Sequence, residues 1–416
     1  MAVQTADPES GGLQPPLAEA RPPSRPRLLY LDNLRTVLIT AVVVGHLAGS
    51  YGVQADWVYR EGGQSSAVVT GLGLLGMVVG VSFSMGLFLL IAGYFTPAAY
   101  DRKGARHFLL DRLKRLGIPW LFFEVVIDPL IHYAVDVHGG DCKGALYDCQ
   151  YQGTFWQYLK GFPATSGSFG DGPVWFLELL LIFSLFYTLW RLVAGRVPRR
   201  GSGQPGVSRA VPGNGAIALF ALAIGLSSFV LRFWVRAFVQ YEPFHLEFAR
   251  FPQYIALFAA GVWAYRHGWL AAFSDRQART WRWIALVCVL VLPALVVPFS
   301  GQSGEGDARF AGGVNWLSLA LCLWEGFLCV SMCIALLSWF RRRFNGQGRL
   351  ARAMSESAFA VYVLHPAIIV PLALALSGID MHLSLKLLFV APLGVALCYL
   401  AAYALRKVPF ARAVLG

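Results

Sequence analysis

Three ionisable side chains lie along one predicted helix near the start of the chain, in the segment 30–46. Arg35 and His46 are eleven residues apart, which is about three helical turns, so both project from one face. Asp32 lies three residues before Arg35 and can pair with it. A rise of about 1.5 Å per residue places His46 roughly 16 Å further along the helix than Arg35. His46 could be a general base or a buried, hydrogen-bonded structural residue, and the spacing alone leaves both interpretations open.

Other ionisable side chains interrupt segments that are otherwise apolar. Each costs at least a few kcal/mol at bilayer depth, so each is by default a candidate for function. Snorkelling at a membrane interface or structural pairing is the alternative. These residues are Glu124, Asp128, His132, Glu178, Glu325 and His365.

A general base needs an orienting partner, usually a carboxylate on its second ring nitrogen. Glu178 is the first candidate to support His46 in this way, and it lies near Trp175, an apolar platform suited to the face of a sugar. Glu124 is the second candidate. Polar residues four and eight positions after Glu124 predict one polar stripe along its helix.

The elements that carry these residues are predicted to be transmembrane helices. Hydrophobic residues make up 56% of the 416 residues, charged residues make up 14%, and the mean hydropathy is +0.55, which excludes a soluble chain of this length. We expect an all-α, polytopic transmembrane bundle of about ten spans. These are predicted near 30–50, 68–95, 117–137, 173–194, 214–234, 252–268, 283–299, 315–339, 357–377 and 385–405.

The 35 Lys and Arg residues are distributed unevenly between the connections. Connections after even-numbered spans, together with both termini, hold 27 of them, and the others hold 8. This asymmetry predicts that both termini are cytoplasmic, and it explains the net charge of +12 without a nucleic-acid partner. The predicted organisation is a disordered cytoplasmic tail (1–27), a membrane domain (28–405) and a basic cytoplasmic tail (406–416), in a bacterial inner membrane.

Two of the seven cysteines, Cys142 and Cys149, lie in a polar loop on the predicted outer side. In that compartment a local disulfide is the simpler interpretation. A metal-binding pair is the alternative, but no second Cys/His pair with ligand spacing accompanies them, so no metal site is predicted.

The segment LYLDNLRTVLITAVVVGH resembles the opening helix of the acyltransferase-3 family of membrane acyltransferases. That family's arginine, ten intervening residues and histidine are matched by Arg35 and His46. Further segments resemble the family in the same order, over about residues 28–405. They are LFLLIAGYFTP before a basic inner loop ending RLKRLGIPWLFF, GPVWFLELLLIFSLFY with Trp175 and Glu178, and SESAFAVYVLHPAII with Tyr362 and His365.

The resemblance implies an O-acyltransferase that moves an acyl group from cytosolic acyl-CoA to a hydroxyl of an extracytoplasmic or membrane-linked glycan. The wording of the motifs is most like the branch that includes glucan-succinylating proteins, and the expected acyl group is acetyl or succinyl. His46 would be the general base, supported by Glu178 and Glu124. Acyl-CoA is a co-substrate, so no cofactor is expected. The substrate-binding candidates are Arg35, Asp32, Trp175, His365 and Tyr362.

A proton-coupled secondary transporter or a flippase of a polar or lipid-linked substrate is the alternative function. Scattered intramembrane acids and histidines suit such a carrier. Against it, the sequence contains no inverted repeat and no matching pair of Gly/Pro-broken helices. Consumption of acyl-CoA separates the two functions, because a carrier moves its substrate unmodified.

Overall fold

Helices make up nearly all of the regular structure. The computed structural model describes residues 27–53, 57–138, 150–166, 172–195, 211–241, 245–296 and 309–415. Within these ranges Tyr241 and Leu246 form an isolated β-bridge. The predicted all-α class is confirmed.

The helices follow the apolar blocks of the sequence, and short polar connections separate most of them. They are α1 (Leu29–Ser50), α2 (Ala67–Arg112), α3 (Ile118–Phe122), α4 (Asp128–His138), α5 (Phe155–Ser166), α6 (Trp175–Val193), α7 (Asn214–Leu231), α8 (Phe251–His267), α9 (Trp269–Ala272), α10 (Asp275–Val296), α11 (Trp316–Arg343), α12 (Arg349–Ala375), α13 (Leu383–Leu405) and α14 (Pro409–Leu415).

Eight helical stretches in the described part of the chain are long and apolar enough to cross a membrane. One of them is the continuous stretch 67–138, in which the sequence predicts two spans. Helix α8 coincides with the predicted span 252–268, but it is 17 residues long and is not among these eight stretches. The number of ten spans therefore stays a prediction.

The basic stretch 102–115 is helical, so the prediction of a loop there is wrong. Helix α2 continues from the predicted span end near residue 95 as far as Arg112. Arginine, leucine and lysine are strong helix formers, which explains the continuation. The interruption is a kink at Gly104, whose φ of 73° lies in the left-handed region that favours glycine.

Two π-helical turns, Leu113–Gly117 and Phe123–Ile127, join α2 to α4. Each ends two residues before a proline, Pro119 or Pro129. Because proline lacks the N–H that would continue the α-helical register, the preceding turn can widen without losing a donor. Glu124 lies in the second wide turn, so the regular four-residue polar stripe predicted for this segment is interrupted.

The end of the chain is also more ordered than its prediction as a basic tail. Pro409 to Leu415 form α14, and the side chains of Val414 and Leu415 are buried. Helix α14 packs against α3 and α12. Proline is well suited to the first position of a helix, where its missing N–H has no intrahelical partner to lose.

Arginines tie several helix ends together at one end of the bundle, which we call the arginine-rich end. Arg191 at the end of α6 donates a hydrogen bond of 2.8 Å to Asp101 of α2. Arg341 at the end of α11 donates to the carbonyl oxygens of Leu270 and Phe273, at 2.8 and 2.9 Å. These contacts give the predicted basic clusters a packing role.

Ion pairs hold the other end, which we call the opposite end. Lys386 Nζ lies 2.5 Å from Glu61 Oε1. Glu325 accepts from Arg232 at 2.5 Å and from Arg250 at 3.4 Å, and all three side chains are buried. Removing one partner of such a network would leave an uncompensated buried charge. The structural interpretation therefore accounts for Glu325.

Helices α2 and α8 approach each other through glycines. Gly93 lies so close to the carbonyl of Phe258 that a Cβ there would overlap it, and Gly261 has the same relation to the carbonyl of Leu90. In a membrane, where apolar helices gain little by leaving lipid, small residues allow the close van der Waals packing that holds helices together.

Gly93→Ala is expected to destabilise the bundle by about 1–3 kcal/mol, because the added methyl group forces the two backbones apart. Gly80→Ala is the matched control, since it lies on the same helix and a Cβ there meets nothing within 4 Å. Thermal unfolding of the purified protein in detergent measures the difference. Equal melting temperatures for the two variants would contradict the close packing.

Candidate active site

Helix α1 carries the predicted pair of Arg35 and His46 on one uninterrupted segment, Leu29–Ser50. Its rise of about 1.5 Å per residue separates them by roughly 16 Å. Asp32 lies 4.0 Å from Arg35, as predicted, and forms a closer pair of 2.6 Å with Arg27. Arg35 therefore lies near the arginine-rich end, and His46 lies one turn before the opposite end of α1.

His46 is held by a second histidine. Its Nδ1 lies 2.8 Å from Nε2 of His365 on α12, and Nδ1 of His365 lies 2.8 Å from the carbonyl oxygen of Tyr362. In a regular helix that carbonyl would accept from the N–H of residue 366, which here is Pro366 and has none. The proline thus frees the carbonyl, and the His365 side chain bonds to it.

The proton positions in this chain follow from its last acceptor. A carbonyl oxygen only accepts, so His365 carries its proton on Nδ1 and its Nε2 is an acceptor. His46 must then donate from Nδ1, which leaves the lone pair on Nε2 of a neutral His46. An unprotonated ring nitrogen of this kind is what a general base requires.

Trp57 covers one face of the His46 ring. The two ring centroids are 4.3 Å apart and the planes differ by 9°. The indole Nε1 of Trp57 is buried and has no hydrogen-bond partner among the described residues. His46 is therefore fixed by a stacked ring as well as by a hydrogen bond, and an available N–H donor lies next to it.

A cavity of about 150 Å³ lies beside His46. Its lining is polar on some sides and aromatic on others, a combination typical of small-molecule sites. The polar lining residues are His46, Asp128, His132 and Gln240, and the aromatic ones are Trp57, Phe123 and Trp175.

The two carboxylates predicted to support His46 lie elsewhere. Glu124 and Glu178 are both buried and interact with each other electrostatically, but neither lines the cavity. The position expected for a carboxylate, on the second nitrogen of His46, belongs to His365. The acid of the polar stripe that lines the cavity is Asp128, which lies 3.6 Å from His132.

The remaining predicted residues divide between the cavity and its supports. Trp175 lines the cavity and stacks on Tyr254 at a centroid distance of 6.4 Å. Tyr362 and His365 are buried and do not line it, and the Tyr362 hydroxyl donates to the carbonyl of Pro173. Cys142 and Cys149 lie outside the described residues.

At the arginine-rich end, Arg35 and Arg112 are close enough to interact electrostatically. Arg112 lies over the ring of Phe108, 5.1 Å from its centroid, and its buried Nε has no hydrogen-bond partner among the described residues. Two guanidinium groups that interact electrostatically are a suitable environment for phosphate, which accepts several charge-assisted hydrogen bonds.

A family profile described as an acyltransferase domain matches residues 28–403 of the chain. The chain belongs to the acyltransferase-3 family. Together with its long apolar helices, this makes it a multi-pass membrane acyltransferase. No curated protein and no solved structure matches it.

Sequence reasoning about this acyltransferase missed Trp57 and Gln240, and it gave His365 no link to His46. Trp57 and Gln240 lie in connections outside the predicted spans, so no periodic pattern singles them out. For His365 the signal was present in the proline that follows it, because a proline inside a helix always leaves a carbonyl available.

Pro366→Ala restores a backbone N–H that competes for the Tyr362 carbonyl, so it weakens the bond that fixes the proton of His365. We expect kcat of this acyltransferase to fall about tenfold, as is common when a group that orients a catalytic histidine is disturbed, with KM for acyl-CoA unchanged. Pro371→Ala, on the same helix away from the histidines, is the control. Equal kcat values for both variants would contradict the role of the freed carbonyl.

Proposed function

We propose that the protein is an O-acyltransferase that moves an acetyl or succinyl group from acyl-CoA to a hydroxyl of a glycan, with His46 as general base. The observation that carries this proposal is the hydrogen-bond chain that leaves Nε2 of His46 unprotonated beside a cavity. Family membership supports acyl transfer, and the chain of hydrogen bonds supports a histidine-assisted mechanism.

In the proposed step, Nε2 of His46 takes the proton of the acceptor hydroxyl while the hydroxyl oxygen attacks the thioester carbonyl. The tetrahedral intermediate collapses as the C–S bond breaks, and the imidazolium returns the proton to the sulfur of CoA. The products are the acyl ester and free CoA. His365 accepts the Nδ1 hydrogen bond throughout, and the face of Trp57 favours the transient positive charge on His46.

The donor would enter from the arginine-rich end, which we place in the cytoplasm because lysine and arginine are enriched on that side of membrane proteins. Arg35 and Arg112 would bind phosphate groups of CoA, and Asp32 lies 4.0 Å from Arg35. The extended pantetheine arm would then run along α1 and carry the thioester to His46.

The acceptor would enter from the opposite end, on the far side of a bacterial inner membrane. Trp175 would provide a flat apolar surface for a sugar ring, and Asp128 and Gln240 would accept or donate hydrogen bonds to its hydroxyls. Tyr362, Glu124 and Glu178 would then help to position other residues of the site and would not contact the substrate. A disulfide between Cys142 and Cys149 on this side is part of the same proposal.

His46→Ala is expected to reduce acceptor-dependent release of CoA by 10²–10⁴-fold, the typical contribution of a general base. His267→Ala is the control, since that ring is at the arginine-rich end and bonds to the carbonyl of Trp263 in its own helix. The measurement uses reconstituted protein with labelled acetyl-CoA or succinyl-CoA. Unchanged release by His46→Ala would contradict the base assignment, and no release by folded wild type with any donor would favour the transporter.

Arg35→Gln and Arg112→Gln are expected to raise KM for acyl-CoA about tenfold each, because each removes a charge-assisted contact to phosphate. Neither variant should affect the reaction of acyl-pantetheine, which lacks the CoA phosphates. Arg276→Gln, an exposed arginine at the same end, serves as the control. A KM for acyl-pantetheine that rises as much as that for acyl-CoA would contradict phosphate binding.

A further inference from the structure

A second, larger cavity opens at the opposite end of the bundle. Its volume is about 500 Å³, within the range of small-molecule sites. It lies between the connection that follows α1, at residues 61–64, and the connection between α12 and α13, at residues 377–382. The proposed chemistry at His46 does not use it.

The two connections that form this cavity are tied to each other. The backbone N–H of Leu383 donates to the carbonyl of Gln64 at 3.0 Å, and the N–H of Ser66 donates to Ser384 Oγ at 3.0 Å. Buried Lys386 bonds to Glu61 at 2.5 Å. The cavity walls are therefore held in place before any ligand arrives, which lowers the cost of ordering on binding.

The lining suits a molecule with many hydroxyl groups and apolar ring faces. Hydrogen-bond donors and acceptors line both connections: Gln64 lies on the first, and Asp380 and His382 lie on the second. Ile379 and Met381 line the same cavity, and their side chains are 47% and 40% exposed. Exposed apolar groups beside hydrogen-bonding groups match the two faces of a sugar ring.

The charged residues that line this cavity favour neutral ligands over anionic ones. The carboxylates that line it belong to Glu61 and Asp380, and no lysine or arginine is among the lining residues. Lys386 is 2% exposed and engaged with Glu61 and with the carbonyl of Ile379 at 3.1 Å, so it is not available to an anion. An anionic ligand would be repelled by the carboxylate of Asp380, for which no lysine or arginine lines the cavity.

The residues at the rim of this cavity are close in sequence to a residue that contacts His46. Trp57, which stacks on His46, is four residues before Glu61 at the cavity rim. Four residues span at most about 14 Å. A saccharide chain of a few units can therefore reach from one cavity to the other.

We propose that this second cavity is a binding subsite for a neutral glycan chain, which holds the acceptor while one of its hydroxyls reaches His46. The claim that this glycan is the acyl acceptor rests on the proposed function. The claim that the site binds a glycan, and a neutral one, rests on the residues of the cavity itself. It assigns specificity for an uncharged acceptor to the residues of the two connections.

Binding is measured without acyl-CoA, on full-length His46→Ala protein in nanodiscs, so that no turnover occurs. The probes are maltoheptaose, which is neutral, and oligogalacturonate, which is anionic. Gln64→Ala with Asp380→Asn, added to that background, is expected to raise Kd for maltoheptaose at least tenfold. Gln152→Ala is the matched control, because it replaces an exposed glutamine outside the cavity, and Kd should stay unchanged. The subsite would be overturned if oligogalacturonate bound more tightly than maltoheptaose, or if folded protein did not bind maltoheptaose. It would also be overturned if the Gln64→Ala and Asp380→Asn variant and the Gln152→Ala control had equal Kd values for maltoheptaose.

A second measurement separates failure of the subsite from failure of the proposed function. With His46 intact, the Gln64→Ala and Asp380→Asn variant should release CoA normally with glycerol, which is too small to need the subsite, and at least tenfold more slowly with maltoheptaose. Equal losses with both acceptors would overturn the subsite. Loss of maltoheptaose binding in the variant, combined with no CoA release by wild type with any acceptor, would keep a glycan site and overturn acyl transfer.

Discussion

The hydrogen-bond chain from His46 through His365 to the Tyr362 carbonyl sets the chemistry of the cavity. It depends on Pro366, because a non-proline residue there would supply the N–H that normally occupies this carbonyl. With the carbonyl free, the protons on both rings have one consistent arrangement, and Nε2 of His46 is left as the basic atom. Here a backbone carbonyl of α12 fixes the proton positions, a role that a carboxylate has in many histidine-based sites. Using a carbonyl avoids placing another charge beside the base within the bundle.

Helix α1 gives this base its connection to the rest of the protein. It carries Arg35 near the arginine-rich end and His46 near the opposite end, so the two proposed substrates can approach from different sides and meet at one ring. Some buried charges away from the cavity form ion pairs, such as that between Arg232 and Glu325 at 2.5 Å.

Much of the fold could be predicted because apolar helices leave a strong local signal. The helix class and the shared face of Arg35 and His46 follow from periodicity within single segments. The contact between His46 and His365 could not, because 319 residues separate them and only helix packing brings them together. The carboxylate expected for His46 comes from a rule about histidines in general, whereas in the structure Nδ1 of His46 bonds to His365, whose own partner is a carbonyl next to a proline. The loop predicted at 102–115 failed because charge marks the end of a membrane span but does not end a helix.

The most direct test is the tautomer of His46, read from ¹⁵N chemical shifts in histidine-labelled protein and assigned by the signals lost in His46→Ala. We predict a protonated Nδ1 and an unprotonated Nε2 for His46 in the wild type, with this preference lost in His365→Ala. A His46 that carries its proton on Nε2, or a tautomer unaffected by the loss of His365, would contradict the proposed origin of the base.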